Sequence, residues 1–217
     1  MAKKYIKAAI FDLDGTLIDS KKDIIDSINY ILKALGFKER PDDIIQRYIG
    51  RGRDKLIEDS LGREATPEMV DKANTAFNEF YRAHMFDHTK LFPGVLDILE
   101  YLKDKTLMLV TNKDRDLAVA TLKRFNIDKY FSKVMGGEDQ NCRKPHSCPI
   151  SSLLEGIDVL PHQAMIIGDS EIDIKAGKIA GILTCGLTWG IGSRESIEAV
   201  KPDYILGDMR QLKEIIY

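Results

Sequence analysis

Apolar positions along the chain follow two periods. Short runs at residues 6–11, 106–110, 164–167, 182–187 and 204–206 have strand length and are dominated by apolar side chains. Runs of that kind predict strands buried on both faces, and residues 134–135 supply a weaker candidate. Between the runs, residues 95–102, 116–125 and 173–180 carry apolar residues at helical spacing. Strands alternating with helices predict a parallel sheet covered by helices on both sides.

One region breaks the alternation. Ser20 followed by Asp23 reads as a helix N-cap with an acidic first turn, and Ile24, Ile28, Ile31, Leu32 and Leu35 form one apolar face ahead of Gly36. Three more helical stretches follow at 41–49, 53–61 and 67–84, the last opened by Thr66 before Pro67, a residue suited to the first helical position. No strand intervenes until Leu91-Phe92-Pro93-Gly94 turns the chain back. The predicted fold class is therefore α/β: a Rossmann-like parallel core from residues 1–16 and 91–217, with an α-helical domain, residues 17–90, inserted as a cap.

Composition narrows the picture modestly. The 217 residues fit one or two domains, and 44% hydrophobic with 30% charged residues is a globular balance. A net charge of −2 offers no global basic field, so nucleic acid and anionic lipid are not expected partners. No uncharged run reaches membrane-spanning length, and Met1-Ala2-Lys3-Lys4 leads into strand-like sequence without the pattern of a signal peptide, so a cytoplasmic location is expected. Cys142, Cys148 and Cys185 are odd in number and contain no CxxC, which reads as three free thiols and no zinc site.

The chemistry collects where strands end. Asp12 and Asp14 leave the first apolar run together and meet Gly15, and like charges that close call for a cation or a proton. Thr111 and Asn112 follow the run at 106–110, Asp169 follows the run at 164–167, Asp173 comes four residues later, and Lys144 lies in the intervening loop. In an open parallel sheet, ligands bind beyond the carboxyl ends of the strands, so these distant groups can converge. Carboxylates for a hard divalent cation, a hydroxyl and a lysine suit phosphoryl transfer, where positioning and charge neutralisation dominate.

Asp12-Leu13-Asp14-Gly15-Thr16-Leu17, Leu109-Val110-Thr111-Asn112, Arg143-Lys144-Pro145 and Gly168-Asp169-Ser170-Glu171-Ile172-Asp173 resemble, in order, the four motifs of the haloacid dehalogenase-like hydrolase superfamily. The resemblance implies a Mg²⁺-dependent phosphatase acting on a small phosphorylated metabolite. It makes Asp12 the nucleophile and Asp14 the general acid and base. It assigns phosphate binding to Thr111, Asn112 and Lys144, metal binding to Asp12, Asp14 and Asp169, and support of the metal to Asp173. Residues 48–56, Tyr48-Ile49-Gly50-Arg51-Gly52-Arg53-Asp54-Lys55-Leu56, and residues 187–193 resemble the phosphoglycolate phosphatase subgroup, which makes Gly50, Arg51 and Arg53 candidates for substrate selection. The third motif departs from the usual Lys-Pro-x-Pro form, reading Lys144-Pro145-His146-Ser147-Cys148-Pro149. A phosphomutase of the β-phosphoglucomutase kind, a pyrophosphatase and a non-catalytic phospholigand-binding protein stay open as alternatives, and a monomer or weak homodimer is expected.

Overall fold

The computed structural model describes residues 3–138 and 142–217; Met1 and Ala2, part of the N-terminal stretch that suggested a cytoplasmic location, lie outside them. In chain order the elements are β1 (Ala8–Phe11), β2 (Ile18–Asp19), α1 (Lys21–Ala34), α2 (Asp42–Gln46), α3 (Arg53–Leu61), α4 (Pro67–His84), β3 (Lys90–Leu91), α5 (Val95–Tyr101) and β4 (Thr106–Val110). They continue with α6 (Arg115–Arg124), β5 (Phe131–Met135), α7 (Cys148–Leu154), β6 (Ala164–Gly168), α8 (Glu171–Ile179), β7 (Leu183–Leu187), α9 (Arg194–Ala199), β8 (Tyr204–Leu206) and α10 (Leu212–Ile215).

Six strands form one parallel sheet in the order β5-β4-β1-β6-β7-β8. The chain builds outward from β1 through β4 to β5, then crosses back and builds the other way from β6. That reversal puts a switch point between β1 and β6, where the loops leave in opposite directions and open a crevice at the carboxyl end. Strand periodicity divides the apolar residues between the two faces. Ala8, Ile10, Met108, Val110, Ala164 and Ile166 belong to one buried cluster. Ala9, Phe11, Leu107, Leu109, Met165 and Ile167 belong to the other.

Helices α1 to α4 pack around a third cluster, in which Ile28, Leu32, Ile57 and Phe77 are buried together. Leu117 of α6 is a member from the sheet side, so the two groups of helices share apolar contact. The two-residue strands β2 and β3 pair antiparallel, Ile18 with Leu91 and Asp19 with Lys90, and bring the two connections of the helical segment together. Thr66 caps α4 by accepting the Met69 N–H at 3.2 Å.

Several local expectations change. Ser20 does stand at the N-cap of α1, but its hydroxyl makes no cap bond; it donates to Asp14 at 2.6 Å. Asp23 is buried and accepts from the Thr89 N–H at 2.8 Å, the Thr89 hydroxyl at 2.6 Å and the His88 N–H at 3.0 Å, anchoring α1 to the return connection. The edge strand β5 is five residues long, and the polar Ser132 and Lys133 of this partly exposed strand diluted its apolar signal. Helix α7 and the β2–β3 pair went unpredicted because both are short. Cys142 and Cys148 form a disulfide, with Cα atoms 5.5 Å apart, which corrects the reading of three free thiols; only Cys185, buried in the sheet, keeps that state. The loop doubles back before α7, and a separation of six residues carried no sign of that return.

Candidate active site

Strand register places the chemistry. Asp12 follows β1, and its N–H donates to the Ile167 carbonyl at 2.9 Å, extending the pairing with β6 by one residue. Asp169 follows β6, and Thr111 follows β4 with its N–H on the Met135 carbonyl at 3.0 Å. Asp173 enters from the first turn of α8, where Ser170 and Asp173 form a capping box, the Ser170 N–H and hydroxyl donating to Asp173 at 3.1 and 2.6 Å. Lys144 arrives on the loop between β5 and α7.

Asp12, Asp169 and Asp173, all buried, each place one carboxylate oxygen so that the three lie within 4.8 Å of one another. Lys144 is buried against them, its Nζ 2.7 Å from Asp12 Oδ1 and 2.6 Å from Asp173 Oδ1. Asp169 is held from three directions: Thr16 donates its hydroxyl to Oδ1 at 2.9 Å, and the Ile191 and Gly192 N–H groups reach Oδ2 at 2.7 and 3.3 Å. An all-oxygen donor set with excess negative charge fits a hard divalent cation and not a thiophilic metal. Asp12 Oδ2 has no hydrogen-bond partner among the described residues.

Two glycines make this approach possible. Gly15 has φ +90°, and a Cβ there would run into the Asp169 carboxylate. A Cβ at Gly190 would strike the Asp169 side chain and the Gly15 carbonyl.

Burial drives the electrostatics. Asp12 is pushed well above the carboxylate range by burial, with Lys144 opposing and Asp173 and Asp169 adding to the rise. Burial likewise raises Asp169 to about 6, with Asp173 pushing the same way. Burial works against the Lys144 ammonium, but Asp12 and Asp173 outweigh it and hold its pKa above the ordinary lysine value. One lysine thus leaves the three carboxylates only partly neutralised.

The Asp14 carboxylate lies outside the three-carboxylate group. Strand periodicity stops at Phe11, and beyond the turn Asp14 Oδ1 accepts from Ser20 Oγ at 2.6 Å and Lys113 Nζ at 2.7 Å. The Asn112 side chain is held by protein partners. Its Nδ2 donates to the Gly50 and Lys144 carbonyls at 2.9 and 2.8 Å, while Oδ1 accepts the Lys144 N–H at 3.0 Å. It braces the lysine loop and ties it to the helical segment. Thr111 is buried, and its hydroxyl accepts the Lys113 N–H at 3.1 Å.

A cavity of about 440 Å³ opens from Asp12 toward the helical segment and is lined there by Gly50, Arg51, Arg53 and Phe77. Arg51 is exposed. Arg53 is already engaged, with Nε on Asn74 Oδ1 at 3.0 Å, Nη1 on Asn78 Oδ1 at 2.8 Å, and an ion pair to Asp114 after β4. Those bonds commit Nε and Nη1 to protein acceptors and tie Arg53 to the fold. Arg82 pairs with Asp116 across the same seam, and Arg143 donates to the Arg51 carbonyl at 3.2 Å. Sequence reasoning missed Thr16, Ser20, Lys113 and Arg143. Thr16 and Arg143 stood inside the first and third motifs, Ser20 was read only as a helix cap, and Lys113 carried no signal.

A doubly wound sheet with clustered aspartates and a lysine at its switch point defines a class of hydrolase, and residues 9–187 match the model of the haloacid dehalogenase-like hydrolase family. The chain belongs to that family. It is 34% identical to the phosphoglycolate phosphatase of Neisseria meningitidis, over 98% of this chain and 94% of that one. The phosphoglycolate phosphatase of Haemophilus influenzae is also 34% identical, over 95% and 96% of the two chains. A crystal structure described as a predicted phosphoglycolate phosphatase from Haemophilus somnus 129pt superposes with a TM-score of 0.91 at 32% identity, covering 96% of this chain and 97% of that one.

Proposed function

We propose that the chain hydrolyses phosphoglycolate, or a closely similar small phosphorylated acid, through an aspartyl-phosphate on Asp12. Its class is phosphoric monoester hydrolase, the class of the relatives it matches over nearly its whole length. The observation that carries the reading is Asp12 itself: one carboxylate oxygen is held by Lys144, and the other faces the cavity without a protein partner among the described residues. An oxygen so presented can attack phosphorus in line.

Asp12 and Asp169 are the side chains that would hold Mg²⁺. Asp173, the third carboxylate of the group, accepts from Lys144 and Ser170 and orients the lysine. When bound, Mg²⁺ supplies charge neutralisation at the phosphate oxygens. Lys144 steadies Asp12 and offsets charge as the phosphoryl group arrives, and Thr111 offers its hydroxyl to a phosphate oxygen. Asp14 protonates the departing alkoxide and then takes the proton of the water that cleaves the aspartyl-phosphate.

Residues 17–90 serve as a cap over this site. Their separate apolar cluster and the short β2–β3 junction support that division. Arg51, exposed at the cavity and close to the glycine-bounded entry of α3, is the cap residue suited to a substrate carboxylate. The test is phosphate release from phosphoglycolate and other small phosphate esters, compared by kcat/KM, with Asp12→Asn as control. The Asn variant is expected to be inactive toward every ester. Retention of activity overturns the mechanism, and poor turnover of phosphoglycolate beside other esters overturns the substrate.

A further inference from the structure

Lys113 is a buried lysine that the chemistry above does not use. Its root is fixed, because its N–H donates to Thr111 Oγ1 at 3.1 Å and its carbonyl accepts the Gly137 N–H at 2.9 Å. Its ammonium lies between two groups from different parts of the fold: Asp14 Oδ1 at 2.7 Å and the Tyr81 hydroxyl of α4 at 2.7 Å. The ammonium also stands 5.0 Å from the centre of the Tyr81 ring. Tyr81 is itself clamped, being buried and stacked on Phe77 with ring centres 5.1 Å apart.

The same Asp14 oxygen takes the Ser20 hydroxyl at the start of α1. Oδ1 is thus engaged by two donors, and Oδ2 has no hydrogen-bond partner among the described residues. A carboxylate pinned by one oxygen presents the other in a set direction.

We propose that Lys113 is a positioning residue that aims Asp14 at the leaving-group oxygen and, through Tyr81, makes that aim depend on the seating of the helical segment. The proposal rests on the reading of Asp14 as the proton donor. Lys113 acts through Asp14 and not on the phosphate, which Lys144 serves. With the segment seated, the Tyr81 hydroxyl and Asp14 share the ammonium, and Asp14 is held. If α4 moves away, the lysine loses one of its two oxygen partners and the geometry at Asp14 loosens.

The experiment uses leaving groups. The value of kcat/KM reports events through the first departure of the alcohol, and p-nitrophenolate departs without a proton whereas an alkoxide needs one. Lys113→Met, Lys113→Arg and Tyr81→Phe are compared with the unaltered protein on p-nitrophenyl phosphate, glycerol 3-phosphate and phosphoglycolate, with Mg²⁺ present. Lys113→Met is expected to lose about 100-fold in kcat/KM on both alkyl esters and less than about tenfold on the aryl ester. Lys113→Arg should recover a good part of the loss. Tyr81→Phe, which keeps the ring packing, should show the same selectivity at about tenfold, on the scale of one hydrogen bond to a charged group.

Equal losses on all three esters would make Lys113 a structural or phosphate contact and overturn the proposal. A loss confined to phosphoglycolate would make it a contact to the substrate carboxylate, and absence of any change overturns it equally. Asp12→Asn in the same assays separates the two levels. Activity there removes the parent mechanism, whereas an inactive Asp12→Asn with unselective Lys113 variants removes only the role of Lys113.

Discussion

Lys144 Nζ and Asp173 Oδ1 are 29 residues apart in the chain and 2.6 Å apart in space, and both side chains are buried. The pair sits within the carboxylate group that Asp12 and Asp169 complete, so the lysine is the cation on which the buried charges depend when no metal is bound.

Removing that cation should therefore destabilise the metal-free protein more than it alters its shape. Lys144→Met is expected to cost about 3–5 kcal/mol of unfolding free energy in EDTA, the penalty of leaving a buried partner unpaired. Asp173→Asn in the same chain should recover part of it, since the uncompensated charge is gone. Urea unfolding of the two single variants and the double variant measures this, and additive losses would contradict the coupling.

Asp169 predicts opposite pH trends for stability and metal affinity. Burial raises its folded value to about 6, against about 3.9 in an unfolded chain. Between those values the folded protein keeps a proton that the unfolded chain has released. This contribution to metal-free stability is complete below about pH 4 and is lost as pH rises through about 6. A divalent cation needs the ionised group, so Mg²⁺ affinity should rise over that interval. Calorimetric titration at pH 5 should give about tenfold weaker binding than at pH 7, and affinity independent of pH would refute it.

Gly190 should matter for the metal although it carries no donor side chain. A methyl group there overlaps the Asp169 side chain. Gly190→Ala is expected to raise the Mg²⁺ concentration for half-maximal activity by about tenfold or more, the scale of losses around a metal ligand. Unchanged Mg²⁺ dependence in a folded variant would show that the loop yields.

The two arginines of the α3 entry should behave differently. Arg51→Ala is expected to raise KM for phosphoglycolate about tenfold or more, by loss of one charged hydrogen bond, with little effect on p-nitrophenyl phosphate. Arg53→Ala strands Asn74, Asn78 and Asp114, and should lower unfolding free energy by about 1–3 kcal/mol while impairing both substrates. Thermal melts read beside KM on the two substrates separate these roles, and identical behaviour would remove the distinction.

The haloacid dehalogenase-like family and its α/β core are legible in the amino-acid sequence, because apolar strands, caps and the order of Asp12, Thr111, Lys144 and Asp169 are local features. Periodicity alone separates the two faces of the sheet at Ala8 to Phe11, and a run of helices stands out from Ser20 to His84. What each polar side chain touches is a different kind of fact. Asn112 braces Lys144, and Arg53 links to Asn74, Asn78 and Asp114. The Asp14 carboxylate meets Ser20 and Lys113, and Cys142 meets Cys148. Those partners are set by the return of the chain at the switch point between β1 and β6 and by the seating of α3 and α4. Local sequence encodes which backbone forms, whereas a hydrogen bond depends on distances of a few tenths of an ångström between segments that only the packed fold brings together.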